Sequence, residues 1–397
     1  MSATHDFDAI TVDALRGIGG LKWSMFPEHV GAFVAEMDFG IAGPITAAIS
    51  AGTASGFFGY LPPSVGAAMG QACSEYYRSN YGWEVPAGNI RPLADVLAGL
   101  QAAMEHFSPA GSKIVLPTPA YMPFFKLPGL AGREIIEVPM VRTGESWEMD
   151  YAALEQAFVD GGGLLIMCNP HNPIGKVYTV EEMVRIADIV ARHGGRVFSD
   201  EIHGPLVFPG AVHVPYASVS EAAARHTITA TSASKAWNIP GLKTAQLILS
   251  NAADVEVWDK VGLIPEHGAS NPGVAANIAA YTGGAPWLDG VVEYLDGNRR
   301  LLGELVAEHL PGVGYLMPQG TYLALLDCRG LGLGDHPSEF FFEHAGIAFT
   351  DGADCAASGQ VRINFATPRP ILEDIILRMK AALAEHGSTA RELVESR

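Results

Sequence analysis

The sequence is poor in cysteine and in basic residues, and each shortage excludes a class of protein. Only four cysteines occur among 397 residues, and none stands in a CxxC pair. A chain of this size does not need disulfide staples, so we expect free thiols in a reducing cytosol and predict no metal site. The 25 Lys and Arg residues against 43 Asp and Glu residues give a net charge of −18, which repels nucleic acids and anionic membranes.

Long hydrophobic runs are absent as well. The segment Met1–Asp6 carries neither the basic region nor the apolar region of a secretory signal. No later stretch approaches the ~18 consecutive apolar residues of a membrane-spanning helix. We therefore predict a cytoplasmic protein with neither a membrane nor nucleic acid among its partners.

The sequence does contain enough apolar material for two domains. Of its 397 residues, 48% are hydrophobic, which favours one large core and a smaller one. Between about residues 111 and 250, short apolar runs alternate with helical patterns, which is typical of parallel strands joined by crossover helices. The predicted strands are Lys113–Leu116, Leu164–Cys168, Arg196–Ser199, Thr227–Thr231 and Ala245–Leu249. The predicted fold class is α/β, with a mostly parallel sheet flanked by helices.

A different pattern begins near Trp287. A long helical stretch is followed by the strand-like runs Thr321–Leu326 and Gln360–Phe365, and a closing helix has Pro370 near its start. These features predict a smaller α+β domain. We divide the chain into an N-terminal segment that joins the small domain, a large ligand-binding domain and the small C-terminal domain, at residues 1–48, 49–286 and 287–397.

Polar motifs follow three of the predicted strands. They are Asn169–Gly175, Asp200–His203 and Ser232–Lys235. Between the first two, Thr179 and Glu182 form a capping box that predicts a helix, so this part of the chain is a βαβ unit. Because ligands of open α/β sheets bind beyond the carboxyl ends of the strands, we expect the three motifs to meet in one site.

Lys235 could be an ordinary surface lysine, but its neighbourhood indicates chemistry. It lies in a Ser/Ala loop whose hydroxyls and amides can hold a phosphate, and Lys243 adds a second cation. A desolvated lysine beside another positive group keeps a free amine for imine formation. Asp200 could simply cap a turn, yet a buried carboxylate needs a cation, and a protonated pyridine nitrogen supplies one. Together these residues are what pyridoxal phosphate requires from a protein.

Three further residues have both a structural and a functional interpretation. Asn172 could belong only to a rigid proline-rich turn, or its amide could donate to the ring oxygen of the cofactor. Tyr121 could be an aromatic at the edge of the core, or it could stack on the pyridine ring with its hydroxyl near the reacting carbons. Arg362 is unusual in a buried strand, and the α-carboxylate of an amino acid would give its guanidinium a bidentate partner.

These motifs together resemble the MalY/PatB-like C–S β-lyases of the class I and II aminotransferase superfamily, which are fold-type I pyridoxal-phosphate enzymes. The resemblance covers nearly the whole chain, and Lys22-Trp23 and the stretches 34–39, 168–173, 199–203 and 287–298 carry it. The Asp-Glu-Ile-His form at 200–203 marks the subfamily, because generic aminotransferases more often have tyrosine where this chain has His203.

The resemblance implies a role for each motif residue. Lys235 forms the imine, Asp200 pairs with the pyridine nitrogen and Tyr121 stacks on the ring, and these three are the implied catalytic residues. The implied cofactor ligands are Lys235, Asp200, Asn172, Tyr121, His203, Ser232, Ser234, Lys243, Val96 and Tyr60. The implied substrate ligands are Arg362, Ala35 and Asn172. Because Tyr60 would reach the phosphate of the neighbouring subunit, the resemblance also implies a homodimer.

Two positions depart from the pattern of the family. Asp95 stands where the family usually has the glycine of a Gly-Val pair whose amides cradle the phosphate, and its carboxylate would repel the phosphate unless it turns away. Glu36 replaces a more usual aspartate and could alter the substrate entrance without touching the chemistry. Candidate side chains of the specificity pocket are Phe39, Phe57 and Trp237.

The reaction implied by the resemblance is an α,β-elimination. An amino acid with a sulfur substituent at Cβ displaces Lys235, which then removes the Cα proton, and a thiol leaves. The other products are pyruvate and ammonia, and the expected substrate is L-cystathionine or a related cysteine S-conjugate. The alternatives are an aminotransferase, which would use the same residues, and a regulatory protein that binds pyridoxal phosphate, for which the chain shows no DNA-binding appendage.

Overall fold

A computed structural model describes residues 6–395 of the chain, with side chains as far as residue 386. Helices are its most abundant elements. Their bounds are α1 Val12–Ile18, α2 Leu21–Ser24, α3 Gly43–Ser55, α4 Pro63–Tyr81, α5 Val96–Ala102, α6 Pro123–Leu130, α7 Tyr151–Val159, α8 Val180–Arg192, α9 Glu221–His226, α10 Ala233–Ala236, α11 Ala252–Val261, α12 Leu263–Glu266, α13 Asn271–Gly283, α14 Ala285–His309, α15 Pro337–Ala345 and α16 Arg369–Glu395. None of the described helices is long and apolar enough to cross a membrane.

The strands form one large sheet, one smaller sheet and two short pairs. Their bounds are β1 Val30–Gly31, β2 Ile90–Leu93, β3 Lys113–Thr118, β4 Ile135–Pro139, β5 Val141–Thr143, β6 Ser146–Glu148, β7 Gly162–Cys168, β8 Arg196–Asp200, β9 Thr227–Thr231, β10 Ala245–Leu249, β11 Gly314–Tyr315, β12 Leu323–Asp327, β13 Ile347–Ala348, β14 Thr350–Asp351 and β15 Gln360–Asn364. The large sheet has the order β2-β10-β9-β8-β7-β3-β4, and the smaller one has the order β11-β12-β15-β14.

The large sheet is parallel from β9 to β4, as the alternating pattern predicts, but β10 runs antiparallel to both of its neighbours. The prediction that Ala245–Leu249 continues the parallel set is therefore wrong in direction. Between β9 and β10 the chain contains the single turn of α10, the 3-10 turn Pro240–Leu242 and short loops. A parallel connection usually runs through a helix long enough to cross the sheet, and a single turn is not, so β10 turns back beside β9.

Strand register brings the polar motifs to one edge of the large sheet. Cys168 at the end of β7 lies opposite Asp200 at the end of β8, and Asp200 lies opposite Ala230 of β9. The helix between β7 and β8 has the predicted capping box: the hydroxyl of Thr179 accepts from the Glu182 amide, and the carboxylate of Glu182 accepts from the Thr179 amide. The predicted βαβ unit is thus confirmed.

Apolar side chains fill both faces of the large sheet and a third region around the smaller sheet. One cluster packs α5 and Trp258 on one face, and another packs α7 and α8 on the opposite face. The third cluster joins N-terminal residues such as Phe7 to α14, α16 and the inner strands β12 and β15. In addition, β1 pairs in parallel with β13, and the amide of Asn364 in β15 donates to the Ala32 carbonyl at 2.9 Å, so the N-terminal segment runs beside the strand that carries Arg362.

Candidate active site

A cavity of about 190 Å³ lies beyond the carboxyl ends of β7, β8 and β9. Nine of the residues that the sequence nominated for the site line it, and all three polar motifs contribute. Its walls are Ala35, Asp95, Val96, Leu97, Tyr121, Cys168, Asn172, Asp200, Ile202, His203, Ser234, Lys235, Pro240 and Lys243. The expectation that the three motifs converge is confirmed.

Lys235 projects into this cavity from α10, the short helix that directly follows β9. Its Nζ donates a hydrogen bond of 3.0 Å to the carbonyl oxygen of Ala35. Burial, with a smaller contribution from the Arg362 charge, lowers the pKa of Lys235 to about 8. A substantial fraction of the amine is therefore neutral near pH 8 and can act as a nucleophile or a base.

Asp200 ends β8 and is almost fully buried, with 5% of its surface exposed. One carboxylate oxygen accepts a hydrogen bond of 3.1 Å from the amide of Ile202, and no cationic side chain among residues 6–386 forms an ion pair with it. Burial raises the pKa of Asp200 to about 7. A cationic group bound next to this carboxylate would relieve the cost of burying its charge.

His203 belongs to the same loop and is buried. Burial, aided by the charges of Lys235 and Arg362, lowers its pKa to about 3, so the imidazole is neutral. The ring lies edge-on to Tyr322 at 5.9 Å, and its Nδ1 has no hydrogen-bond partner among the described residues. A buried ring nitrogen without a partner is costly in a protein interior, and this one lies in a wall of the cavity.

Arg362 lies in β15 and is buried behind the cavity wall. Its Nη1 donates to the side-chain oxygen of Asn172 at 3.2 Å, and its Nη2 donates to the carbonyl oxygen of Phe33 at 2.8 Å and to the Thr350 hydroxyl at 3.0 Å. The Nε has no partner in the described part of the chain. Because the oxygen of Asn172 is bound to the arginine, its amide nitrogen remains to serve as a donor toward the cavity.

One part of the cavity wall carries groups suited to an anion. Ser234 and Lys243 line it, together with Val96 at the start of α5, where backbone amides have no helical partner. Asp95 does not turn away from this region. One of its oxygens caps the Ala98 amide at 3.0 Å, and the other accepts from the Lys243 ammonium at 3.0 Å, so the ammonium partly neutralises the carboxylate.

Tyr121 and Tyr60 occupy very different positions. Tyr121 lines the cavity and packs edge-on against Phe124 at 5.4 Å, and burial raises the pKa of its hydroxyl. Tyr60, in contrast, is 93% exposed and lies next to His267, outside the cavity of its own chain.

Some residues nominated from the sequence do not line the cavity. The hydroxyl of Ser232 caps α10 by accepting from the Ser234 amide at 3.0 Å, and it donates to the Thr244 carbonyl at 2.7 Å. Two of the three nominated pocket side chains are wrong, because Phe39 and Trp237 lie in the hydrophobic core. The indole of Trp237 donates to the Gly284 carbonyl, which explains its burial. The third, Phe57, is half-buried next to the exposed segment 58–60.

The structure also adds residues that the sequence did not single out. Leu97, Ile202 and Pro240 contribute apolar surface to the cavity, and Cys168 contributes a thiol. The hydroxyl of Tyr322 donates to the Ala35 carbonyl at 2.9 Å, so this carbonyl binds both Lys235 and Tyr322. Position relative to the motifs could have indicated Cys168 and Ile202, whereas nothing local marks Tyr322. In residues 6–386 no group of three His, Cys, Asp or Glu side chains is arranged to hold a metal ion.

The family model that describes the class I and II aminotransferases matches residues 38–376. This chain belongs to that family. It is 38% identical to the cystathionine beta-lyase of Corynebacterium glutamicum over 94% of this chain and 99% of the relative, and 30% identical to the cystathionine beta-lyase PatB of Bacillus subtilis over 93% and 97%. Among solved structures, the pyridoxal-phosphate-bound C–S lyase of Staphylococcus hominis superposes with a TM-score of 0.88 at 26% identity, over 96% of this chain and 99% of that one. The resemblance inferred from the motifs is thus confirmed, and so is the fold class.

Proposed function

We propose that this protein is a pyridoxal-phosphate-dependent C–S β-lyase that cleaves L-cystathionine or a related cysteine S-conjugate to a thiol, pyruvate and ammonia. The observation that carries the proposal is the pair of groups in one cavity: the Lys235 amine with a pKa of about 8, and the buried Asp200 carboxylate, which forms no ion pair with any described side chain. The names of the relatives support the same reaction class.

The residues present fit pyridoxal phosphate. Asp200 would provide a counter-ion for the pyridine nitrogen, and Lys235 would offer a partly neutral amine to the aldehyde. Lys243, Ser234 and the amides at the start of α5 would hold the phosphate, and Tyr121 would cover a face of the ring. His203 and Asn172 remain as polar groups of the wall that the bound cofactor can satisfy.

In this proposal the bound cofactor supplies an electron sink for the charge that develops at the substrate Cα. Lys235 holds the proton removed from Cα and can return it to the departing sulfur, because its pKa lies near the working pH. Asp200 stays ionised and keeps the opposing ring nitrogen protonated. Arg362 binds the substrate carboxylate, for which it would exchange its bond to the Phe33 carbonyl, and Ala35 positions the substrate through its backbone.

We also propose that the active form is a homodimer. Four large apolar side chains are exposed near one another: Phe58 is 66%, Tyr60 93%, Leu263 68% and Ile264 74% accessible. Tyr60 neighbours His267, which follows α12, the helix that contains Leu263 and Ile264. A second copy that covers this surface would remove apolar area from water and could bring Tyr60 to its phosphate.

The domain boundaries and the location of the protein also stay proposals. The division at residues 1–48, 49–286 and 287–397 is supported by the pairing of β1 with β13, which ties the N-terminal segment to the part of the chain that contains the smaller sheet. A cytoplasmic location rests on the sequence alone.

A steady-state assay tests the reaction. The purified protein loaded with pyridoxal phosphate is given L-cystathionine, and pyruvate and free thiol are followed together, with and without 2-oxoglutarate. Equal amounts of pyruvate and thiol without the keto acid, lost in Lys235→Ala but kept in the exposed-lysine control Lys260→Ala, are the expected result. Turnover that requires 2-oxoglutarate would make the protein an aminotransferase and contradict the proposal.

A further inference from the structure

An open recess of about 410 Å³ adjoins the active-site cavity. Pro240 lines both spaces, and Glu36 of the recess directly follows Ala35 of the cavity wall. Most of the recess surface is apolar. Its walls come from helices α1, α2 and α3, from the segment 36–41 and from the loop after α10: Leu15, Ile18, Gly20, Lys22, Trp23, Glu36, Met37, Asp38, Gly40, Ile41, Ile49, Asn238, Ile239, Pro240, Gly241 and Leu242.

Only three of these wall residues are charged, and two of them neutralise each other. The Lys22 ammonium lies 2.7 Å from the Asp38 carboxylate, and both side chains are almost completely buried. The Trp23 indole donates to the other oxygen of Asp38 at 2.8 Å, so each oxygen of this carboxylate has a partner. The charge that remains toward the recess is that of Glu36.

The Glu36 carboxylate makes no ion pair or hydrogen bond within the described part of the chain. The side chain is only half-buried and faces across the recess: a Cβ added at Gly20 would lie 3.7 Å from its Oε2. Its charge reaches the active site, because it raises the pKa of Lys235 against the stronger effect of burial. Glu36 is therefore an unpaired anion at the junction of the recess and the site.

The backbone holds Glu36 firmly at that junction. The preceding carbonyl, that of Ala35, accepts from the Lys235 ammonium at 3.0 Å and from the Tyr322 hydroxyl at 2.9 Å. The Asn364 amide donates to the carbonyl of Glu36 itself at 2.6 Å. With its backbone bound on both sides, the side chain can meet a ligand without reordering the segment.

We propose that Glu36 binds a primary ammonium group on the leaving half of the substrate, the half that departs as the thiol. The inference rests on the proposed lyase function, in which Lys235 acts at Cα and the sulfur substituent extends from Cβ toward the recess. In L-cystathionine that ammonium is the amino group of the homocysteine half. Its carboxylate points to the open side of the recess and into water.

Two substrates that differ in this one group test the proposal. They are L-cystathionine and S-(3-carboxypropyl)-L-cysteine, which keeps the chain and the distal carboxylate but has no distal ammonium. In the holoenzyme, Glu36→Gln should lower kcat/KM for L-cystathionine about five- to tenfold, as for an ion pair at a partly exposed site. The same variant should leave kcat/KM for the analogue unchanged or raise it, because the repulsion between the Glu36 carboxylate and the distal carboxylate of the analogue is gone.

The ratio of the kcat/KM values for the two substrates cancels any effect that Glu36 has through the pKa of Lys235. Any change in the pKa of that lysine alters both reactions alike, so equal losses for the two substrates, or no loss for either, would overturn the proposal. Glu36→Asp keeps the charge and should keep the preference in part. Glu28→Gln, which neutralises an exposed carboxylate outside the recess, is the matched control and should change neither substrate.

A binding measurement separates this inference from the lyase function. Rapid mixing of the holoenzyme with either amino acid follows the change in cofactor absorption that precedes elimination, so dissociation constants come from this first phase and not from turnover. If neither compound yields pyruvate, the lyase proposal fails, yet the constants still test Glu36. A preference of the wild-type protein for L-cystathionine that disappears in Glu36→Gln supports the inference, and identical constants for the two compounds refute it.

Discussion

Asp200→Asn should raise the stability of the apoprotein, whereas in the presence of pyridoxal phosphate the variant should be less stable than the wild type. The carboxylate is 5% exposed, accepts one hydrogen bond from the Ile202 amide and has no ion-pair partner among the described side chains. Asparagine has nearly the same shape and can keep that hydrogen bond. The substitution therefore removes a dehydrated negative charge and little else.

The pKa of Asp200 sets the size and the pH dependence of the effect. Burial raises it from 3.8 to about 7, so the folded apoprotein binds a proton that the unfolded chain releases. The stability that the folded state gains from binding this proton is fully present below about pH 4 and is lost as the pH rises through about 7. Above pH 7 the charged group costs the folded state up to ~4 kcal/mol, at about 1.4 kcal/mol for each pKa unit. Between about pH 5.5 and about pH 8.5 the advantage of the asparagine variant should grow by ~2 kcal/mol.

Thermal unfolding of the two apoproteins, after removal of the cofactor with hydroxylamine, measures this advantage. The midpoint of Asp200→Asn should exceed that of the wild type by more at the higher pH. Addition of pyridoxal phosphate should reverse the order, because only the wild type offers a counter-ion to the ring nitrogen. A gap that does not change with pH would show that the carboxylate is hydrated or paired, and would refute the argument from burial.

Three further outcomes are expected. Burial lowers the pKa of Lys235 to about 8, so between about pH 8 and 10.5 the unfolded chain binds more protons than the folded one. The stability of the apoprotein should therefore rise with pH in that window, and the rise should vanish in Lys235→Met. Unfolding midpoints measured at both ends of the window test this. Arg362→Lys should raise KM for the amino acid about 10- to 100-fold in steady-state kinetics, because lysine cannot form the two parallel bonds of a guanidinium, and a loss confined to kcat would contradict the assigned role. Leu263→Asp should yield monomers in sedimentation experiments. It should also weaken retention of the cofactor, since each site loses the Tyr60 of the neighbouring subunit. The control Val212→Asp, at a side chain that is also exposed, should leave the dimer intact.

Local sequence was sufficient to predict the motifs of the site and five of the seven strands of the large sheet, whereas the edge strands β2 and β4 were not predicted. The bounds Thr227–Thr231 and Ala245–Leu249 coincide with β9 and β10, because short apolar runs between polar motifs leave little choice of boundary. The capping box at Thr179 specifies a helix start through two hydrogen bonds that lie within four residues. The motif residues Asp200 and Lys235 could be assigned because the chemistry of a cofactor demands such residue types after strands.

The direction of β10 and the environment of single side chains could not be predicted in this way. Whether a strand runs parallel depends on how the connection crosses the sheet, and this length of loop permits either course. Trp237 follows Lys235 closely in sequence, yet helix geometry turns it into the core, where its indole donates to the Gly284 carbonyl. The hydroxyl of Ser232 is drawn to the Thr244 carbonyl, a partner twelve positions away along the chain.

The sequence by itself determined the fold class, the family and the residue types that the reaction needs, because these depend on periodicity and on contiguous motifs. Only the tertiary structure decided the pKa values of those groups. The depressed pKa of Lys235 and the raised pKa of Asp200 arise from burial, which elements far apart in the chain create together. The same holds for the free carboxylate of Glu36, whose neighbours Lys22 and Asp38 satisfy each other and leave it to the substrate.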